Sequence, residues 1–465
     1  MNTMYASLSS SLPTPQLPLR EIPGTYGLPI IGVVKDRNDF LYNQGINEFF
    51  NSRIAKYQST VFRHNMIPGP PIASDSKVIV LLDAMSFPVL FETDKVDKEL
   101  NLLGTFTPDL AFFGGFVPLA YQDTSNPFHS KFKSLLLCLS ELFSNIEFEI
   151  KEKSSSDFNT LNRNMTFNYV FRLCFDKDPA DTILKSDGPG IIFTWFALQI
   201  APIVPLGLKY LPHFVEDLLI RTGKLPFLIV KKDYNKVVEV IYDVASKFLD
   251  EAEEMGLKRD ETCHNLITAL FFNGSSGLSV FYPIMFKWIG SAGESVHKRI
   301  ADEVRDIVAQ SEHGTIDLST LEKMQLVKSV VCEAFRMEPP VPNQFGRAKK
   351  DLIVQSHENS FEIKKGELIY GYQPFATNDK KIFGNPEVFV ADRFVGEEGE
   401  KLLKYVLWSG GRETDGPTPE NKQCPGKNMV MLISRLMVAE FFLRYDTFTI
   451  EEGSSVIIKS MKKKA

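Results

Sequence analysis

A mainly α-helical domain with small β-sheets is the fold that the sequence predicts, on three observations. The 465 residues are 44% hydrophobic, enough to bury a large core. No long Gly/Ser run, charge block or internal repeat divides them. Apolar residues recur at helical spacing over long stretches, whereas strand-like alternation is confined to short ones. Residues 1–465 are therefore read as a single domain. Residues 1–20 stand apart as a disordered or targeting segment, because they are Ser-rich with one arginine and no acidic residue.

In chain order, the Pro/Gly-rich stretch Ile22–Gly32 reads as extended chain leading into the domain. Val78-Ile79-Val80-Leu81-Leu82 is a short apolar run, hence a buried strand. Val296, Ile300, Val304, Ile307 and Val308 follow a helical period. Leu321, Met324, Val327, Val330, Val331 and Ala334 form the apolar face of another helix. It must stop before Pro339-Pro340, since proline restricts the residue before it and lacks an N–H. Asp351–Gln355 and Phe361–Ile363 alternate as strands, and Lys365-Gly366 turns into Leu368-Ile369-Tyr370.

The net charge of −6 and pI near 5.8 exclude nucleic acid as a natural partner. Cys138, Cys174, Cys263, Cys332 and Cys424 lack paired spacing, which points to a reducing, intracellular compartment. No stretch is expected to approach the roughly 20 apolar residues that span a bilayer. Trp195–Leu211 and Leu225–Val230 are read either as a pair of core helices or as a surface resting on lipid.

By itself Cys424 is as well read as a buried structural cysteine. It sits in Asn421-Lys422-Gln423-Cys424-Pro425-Gly426-Lys427, after Glu333-Ala334-Phe335-Arg336 and Asp392-Arg393-Phe394. That order resembles the C-terminal third of a cytochrome P-450, with an ExxR helix, an arginine-bearing meander and a proximal cysteine loop. Ordinary members place Phe and Gly seven and four residues before the cysteine; here Pro417 and Glu420 stand there. The inserted N-K-Q-C-x-G-K loop is similar to one plant branch, the fatty-acid hydroperoxide enzymes: hydroperoxide lyase, allene oxide synthase and divinyl ether synthase. Pro339-Pro340-Val341-Pro342-Asn343-Gln344-Phe345 and Gly371-Tyr372-Gln373-Pro374 resemble the same branch, and the likeness runs from about Leu17 to Phe448.

The resemblance implies a cytochrome P-450 fold, with haem b buried between a long distal helix and the cysteine loop. Cys424 would be the thiolate ligand of the iron, a donor that favours O–O cleavage. Glu333, Arg336 and Arg393 would brace the loop, although an E-x-x-R pair alone is equally a surface salt bridge. Lys422 and Lys133 are candidate partners of the haem propionates, or else ordinary solvated charges. Asn273, in Phe271-Phe272-Asn273-Gly274-Ser275, aligns with the asparagine that the branch places over iron; the alternative is a cap at a helix irregularity. The acid–alcohol pair by which monooxygenases deliver protons to dioxygen is missing there.

A substrate that carries its own O–O bond needs neither dioxygen nor a reductase. The resemblance thus implies rearrangement of polyunsaturated fatty-acid hydroperoxides, in oxylipin biosynthesis. Leu102, Ser276 and Ser279 are placed in the substrate pocket. Leu102 and Ser279, equally read as ordinary helix or pocket packing, favour the lyase, giving aldehydes and oxo-acids, over allene oxide synthase or divinyl ether synthase. Location is expected in the cytoplasm, peripherally on a membrane, or in a plastid. Two departures also admit a catalytically degenerate haem- or lipid-binding protein. Ser275-Ser276-Gly277 replaces an aromatic residue and two glycines, and several helical turns after Leu137 are missing.

Overall fold

The longest helix among the described residues runs from Arg259 to Ala292. The computed structural model describes residues 17–67, 75–98, 127–203, 212–221, 226–451, 453 and 455–464, with side chains from Leu135 onward in the helix that opens at Pro127. The long helix is α-helical over Arg259–Ile267 and Ser276–Ser291, and π-helical over Thr268–Ser275 between them. Such inserted wide turns recur at functional sites. Contrary to the sequence expectation, this helix is long and apolar enough to cross a bilayer. Its apolar residues are nevertheless core: Phe271, Leu278, Phe281, Tyr282, Met285, Phe286 and Ile289 are at most 2% exposed. The expectation failed because Asn265, Asn273, Gly274 and Ser275 interrupt the apolar run without adding charge.

Aromatic stacking fixes the neighbours of this central helix. Phe158 stacks on Phe286 at 4.4 Å and Phe167 on Phe271 at 5.0 Å, which holds the helix Phe158–Phe175 alongside. That helix starts at Asp157, whose carboxylate accepts the N–H groups of Asn159 and Thr160. The helices Glu294–Ala309, Gln325–Met337 and Lys427–Arg444 pack against one another and the same core.

The apolar face Leu321–Ala334 is not one helix, as the sequence suggested, but two. Leu318–Lys323 and Gln325–Met337 are separated at Met324, which leaves the helical region at φ −79°, ψ 82°. The Glu303 carboxylate accepts the N–H of Leu326 at 2.7 Å and of Val327 at 2.9 Å. A neighbouring helix thus caps the new N-terminus, while Met324 stays wholly buried and keeps the apolar face continuous. The second helix ends at Met337, ahead of the two prolines as expected.

The largest sheet orders its strands as Val61–Asn65, Lys77–Leu81, Leu368–Tyr372, Asn343–Ala348 and Val96–Lys98. Only Lys77–Leu81 and Leu368–Tyr372 pair in parallel, with Ile79 opposite Ile369. A Cβ on Gly371 would lie 2.6 Å from Leu90 Cδ1, so that close approach requires glycine. The two strands expected near Asp351–Gln355 and Phe361–Ile363 are present as Leu352–Gln355 and Ser360–Ile363, and they pair antiparallel. The stretch Ile22–Gly32 is extended only at first, since Gly24 bridges Arg63 and a helix begins at Ile31.

The helix Pro127–Lys153 continues unbroken through Leu137 and Cys138. Leu139, Leu142, Phe143 and Ile146 are at most 2% exposed. The inward face of this helix after Leu137 is therefore covered. Leu137 and Phe148 stand outside it, exposed.

Candidate haem-thiolate site

The ExxR helix presents two charges in an otherwise apolar row. Glu333 and Arg336 are both wholly buried. Arg336 Nε donates to Glu333 Oε2 at 2.7 Å and Nη2 to Oε1 at 2.8 Å, a fork geometry that only guanidinium supplies. Arg393 Nε reaches the same Oε1 at 2.8 Å, and the Val390 N–H at 3.0 Å. Arg393 also donates to the carbonyls of Gly384, Asn385 and Val388. Arg336 donates to Asn378 Oδ1 at 2.7 Å. One carboxylate therefore gathers the meander, the helix and the loop after Gln373 into a single buried node.

Cys424 connects to this node through packing. Phe335 of the ExxR helix lies on Trp408 at 4.2 Å. Trp408 belongs to the short hairpin Leu407–Trp408/Gly411–Arg412, whose Ser409 carbonyl accepts the Cys424 N–H at 2.9 Å. Gln423 donates to the Arg412 carbonyl at 2.7 Å. Asn421 Oδ1 accepts the N–H of Thr418 and of Gln423, each at 3.0 Å. Lys422 adopts φ 52°, the kink that turns the chain into the cysteine. Trp408 Nε1 donates to Glu413 at 2.6 Å, and burial raises the Glu413 carboxyl despite Lys427 beside it.

Two opposed effects set the state of the Cys424 thiol. Burial is the larger and leaves its pKa raised, while the backbone N–H groups of Gly426 and Lys427 pull it back down. Donors aimed at the sulfur favour the thiolate, and a bound cation would add to them. The donor set therefore fits a thiolate that holds iron.

Lys98 had no part in the sequence reading. Its ammonium donates to the carbonyls of Asn421 at 2.8 Å, Lys422 at 3.0 Å and Gly410 at 3.4 Å. Burial, helped by the Lys422 charge, pushes it down to about 8. Gly410 has φ 84°, and a Cβ there would meet the Lys422 carbonyl at 2.6 Å. No sequence signal marks Lys98, because its partners are carbonyls more than 300 residues away. Lys422 lies 3.8 Å from Asp97 and is half exposed. The Lys133 side chain and Leu102 lie outside the described residues.

Asn273 sits in the π-helical turn, exposed between the buried Phe271 and Ser275. Its amide donates to the Thr268 carbonyl at 3.3 Å, which is the capping bond named as its alternative role. Ser276 is buried, and the Ser279 hydroxyl donates to the Ser276 carbonyl at 2.8 Å. Cys424 and Phe272 pack against the same apolar cluster.

Comparison with known proteins agrees with this geometry. The family model for Cytochrome P450 matches residues 135–463. A tomato protein named allene oxide synthase 3 is 48% identical over 471 residues, covering 97% of this chain and 95% of its own. The Arabidopsis thaliana chloroplastic allene oxide synthase is 47% identical over 461 residues (96% and 88%). A Capsicum annuum 9-divinyl ether synthase is 45% identical over 479 residues (98% and 99%). The chain belongs to the cytochrome P450 family, and so is a haem-thiolate protein of mainly helical fold. Within it, the chain falls in the branch that rearranges fatty-acid hydroperoxides.

Proposed function

We propose that the protein dehydrates a polyunsaturated fatty-acid hydroperoxide to an allene oxide. The observation that carries this reading is the near-full-length likeness to two allene oxide synthases. It displaces the lyase preferred from sequence. Of the two residues behind that preference, Leu102 lies outside the described residues. The other, Ser279, spends its hydroxyl on its own helix. A divinyl ether synthase is the second reading, favoured by the Capsicum relative.

Cys424 would hold the haem iron, with Lys422 and Lys133 as the candidate cations for its propionates. When bound, the haem supplies homolysis of the O–O bond. The residues of the chain orient the substrate. The Asn273 amide exchanges its long bond to Thr268 for the hydroperoxide oxygens, and as an uncharged donor it holds them without giving up a proton. The segment TALFFNGS carries no acid, so the distal oxygen leaves with a substrate hydrogen, as water. Glu333, Arg336 and Arg393 keep the cysteine loop in place through Phe335 and Trp408. The substrate supplies the oxidising equivalents, so no reductase is required.

The Arabidopsis relative is named chloroplastic, and a plastid location is proposed for this chain, to be read from a fluorescent fusion in leaf cells. The function is tested by incubating purified holoprotein with 9- and 13-hydroperoxides of linoleic acid and weighing the products. Products lighter than substrate by one water, recovered as α-ketols after hydrolysis, support the dehydratase. Stable dehydrated ethers would move the assignment to divinyl ether synthase, and two shorter fragments would restore the lyase.

A further inference from the structure

Gln344 and Gln373 belong to the motifs 339–345 and 371–374, and strand pairing brings them together. Asn343–Ala348 and Leu368–Tyr372 run antiparallel, with Gln344 opposite Gly371. The Gln373 N–H, just past the second strand, donates to the Pro342 carbonyl at 2.8 Å. Across this pairing Gln344 Nε2 donates to Gln373 Oε1 at 2.5 Å. Gln373 is 1% exposed and Gln344 is half-buried. Amides placed in this way must find partners for their remaining polar atoms.

Both side chains find them on the hairpin that holds the cysteine loop. The second Nε2 hydrogen of Gln344 goes to the Trp408 carbonyl at 3.1 Å, and its Oε1 accepts the Gly410 N–H at 3.3 Å. Gln373 Nε2 donates to the Leu407 carbonyl. Trp408 and Gly410 flank Ser409, whose carbonyl accepts the Cys424 N–H at 2.9 Å. Three side-chain bonds therefore grip the chain on either side of that carbonyl. Position 344 needs an amide in this one orientation. Turned over, or replaced by a carboxylate, it would set oxygen against the oxygens of Gln373 and Trp408.

We propose that Gln344, backed by Gln373, is a positioning residue for the Cys424 thiolate. It acts through Ser409 rather than on the sulfur. With the Ser409 carbonyl fixed, the Cys424 backbone is fixed, and the N–H groups of Gly426 and Lys427 stay aimed at Sγ. Donors on a thiolate hold back part of the charge it gives to iron, so slackening them lowers the haem reduction potential. The role requires Cys424 to hold the iron but is independent of the product formed.

The test compares the haem-loaded protein with Gln344→Met, which keeps the volume without the polar atoms, and Gln344→Glu, which keeps the size without the donors. Both should retain haem at a lower reduction potential, with the iron–sulfur stretching band moved up in the resonance Raman spectrum. Hydrogen exchange at the Cys424 amide should rise roughly tenfold, while the central helix exchanges as in wild type. Gln373→Met, on a different element, should move the potential and the band in the same direction. Wild-type potential and wild-type Cys424 exchange in the Gln344 variants would overturn the proposal. So would exchange raised evenly through the central helix with an unmoved potential, the mark of a merely structural residue. A wild type without an iron–sulfur stretch would overturn it at the root, by removing Cys424 as the ligand.

Discussion

Arg336→Ala probes the buried node with the largest expected effect on stability. It deletes a guanidinium that makes two bonds to Glu333 and one to Asn378, and leaves a wholly buried carboxylate with Arg393 and one backbone N–H. Removing one partner of a buried ion pair costs about 3–5 kcal/mol. Unfolding entropy near 2.1 cal/mol/K per residue amounts to on the order of 1 kcal/mol/K for a chain of this length. The thermal midpoint should therefore fall by about 4 °C. Haem should be released earlier still, because Phe335 and Trp408 couple the node to the cysteine loop. Scanning calorimetry reads the first and Soret loss on heating the second. Arg336→Lys, which keeps the charge and loses the fork, should fall between wild type and Ala. An Ala variant whose midpoint moves by less than about 1 °C, with wild-type haem retention, would refute the claim that this pair braces the site.

Three further outcomes follow from the same geometry. Asn273→Ala should keep the haem spectrum and lower turnover by roughly one to three powers of ten, with a much smaller change in KM; full turnover would leave Asn273 as the cap it forms on Thr268. His264 shares a hydrogen bond with Tyr234, and burial holds its pKa down at about 4. The unfolded chain therefore takes up that proton first. Stability should be full above about pH 6.5 and fall by about 3 kcal/mol toward pH 4, and His264→Gln should flatten that slope in urea titrations. Lys98→Met should loosen the cysteine loop, raising hydrogen exchange at the Gln423 and Cys424 amides while the central helix stays protected; unchanged exchange would mean the clamp carries no stability.

The parts legible in the sequence were those whose chemistry is local. Glu333 and Arg336 stand three apart on an apolar helix, so their spacing already implies a shared side. Val78–Leu82 and Phe361–Ile363 declare strands because no helical period fits them. The break at Met324 was hidden, since its apolar face continues across it and the cap comes from Glu303 on another helix. Lys98 was hidden because carbonyl partners leave no sequence pattern. In His213–Arg221, nothing in the sequence marks two acids and an arginine as buried; tertiary pairing with Arg37 and Tyr42 turns them inward. The candidates Asn273, Ser276 and Ser279 lie on the central helix, but the π-turn Thr268–Ser275 that contains Asn273 and precedes the two serines depends on packing that no periodicity records.

A haem-thiolate enzyme of this kind should draw its oxidising equivalents from the hydroperoxide. Its most direct test is consumption of linoleic acid 13-hydroperoxide, followed at the conjugated-diene absorbance, under argon and without any reductant, by wild type and by Cys424→Ser. Wild-type turnover should be unchanged on removing oxygen, NADPH and reductase, and the serine variant should lose both turnover and the thiolate Soret band. A strict need for oxygen or reductant, or a serine variant that keeps the wild-type band and rate, would contradict it.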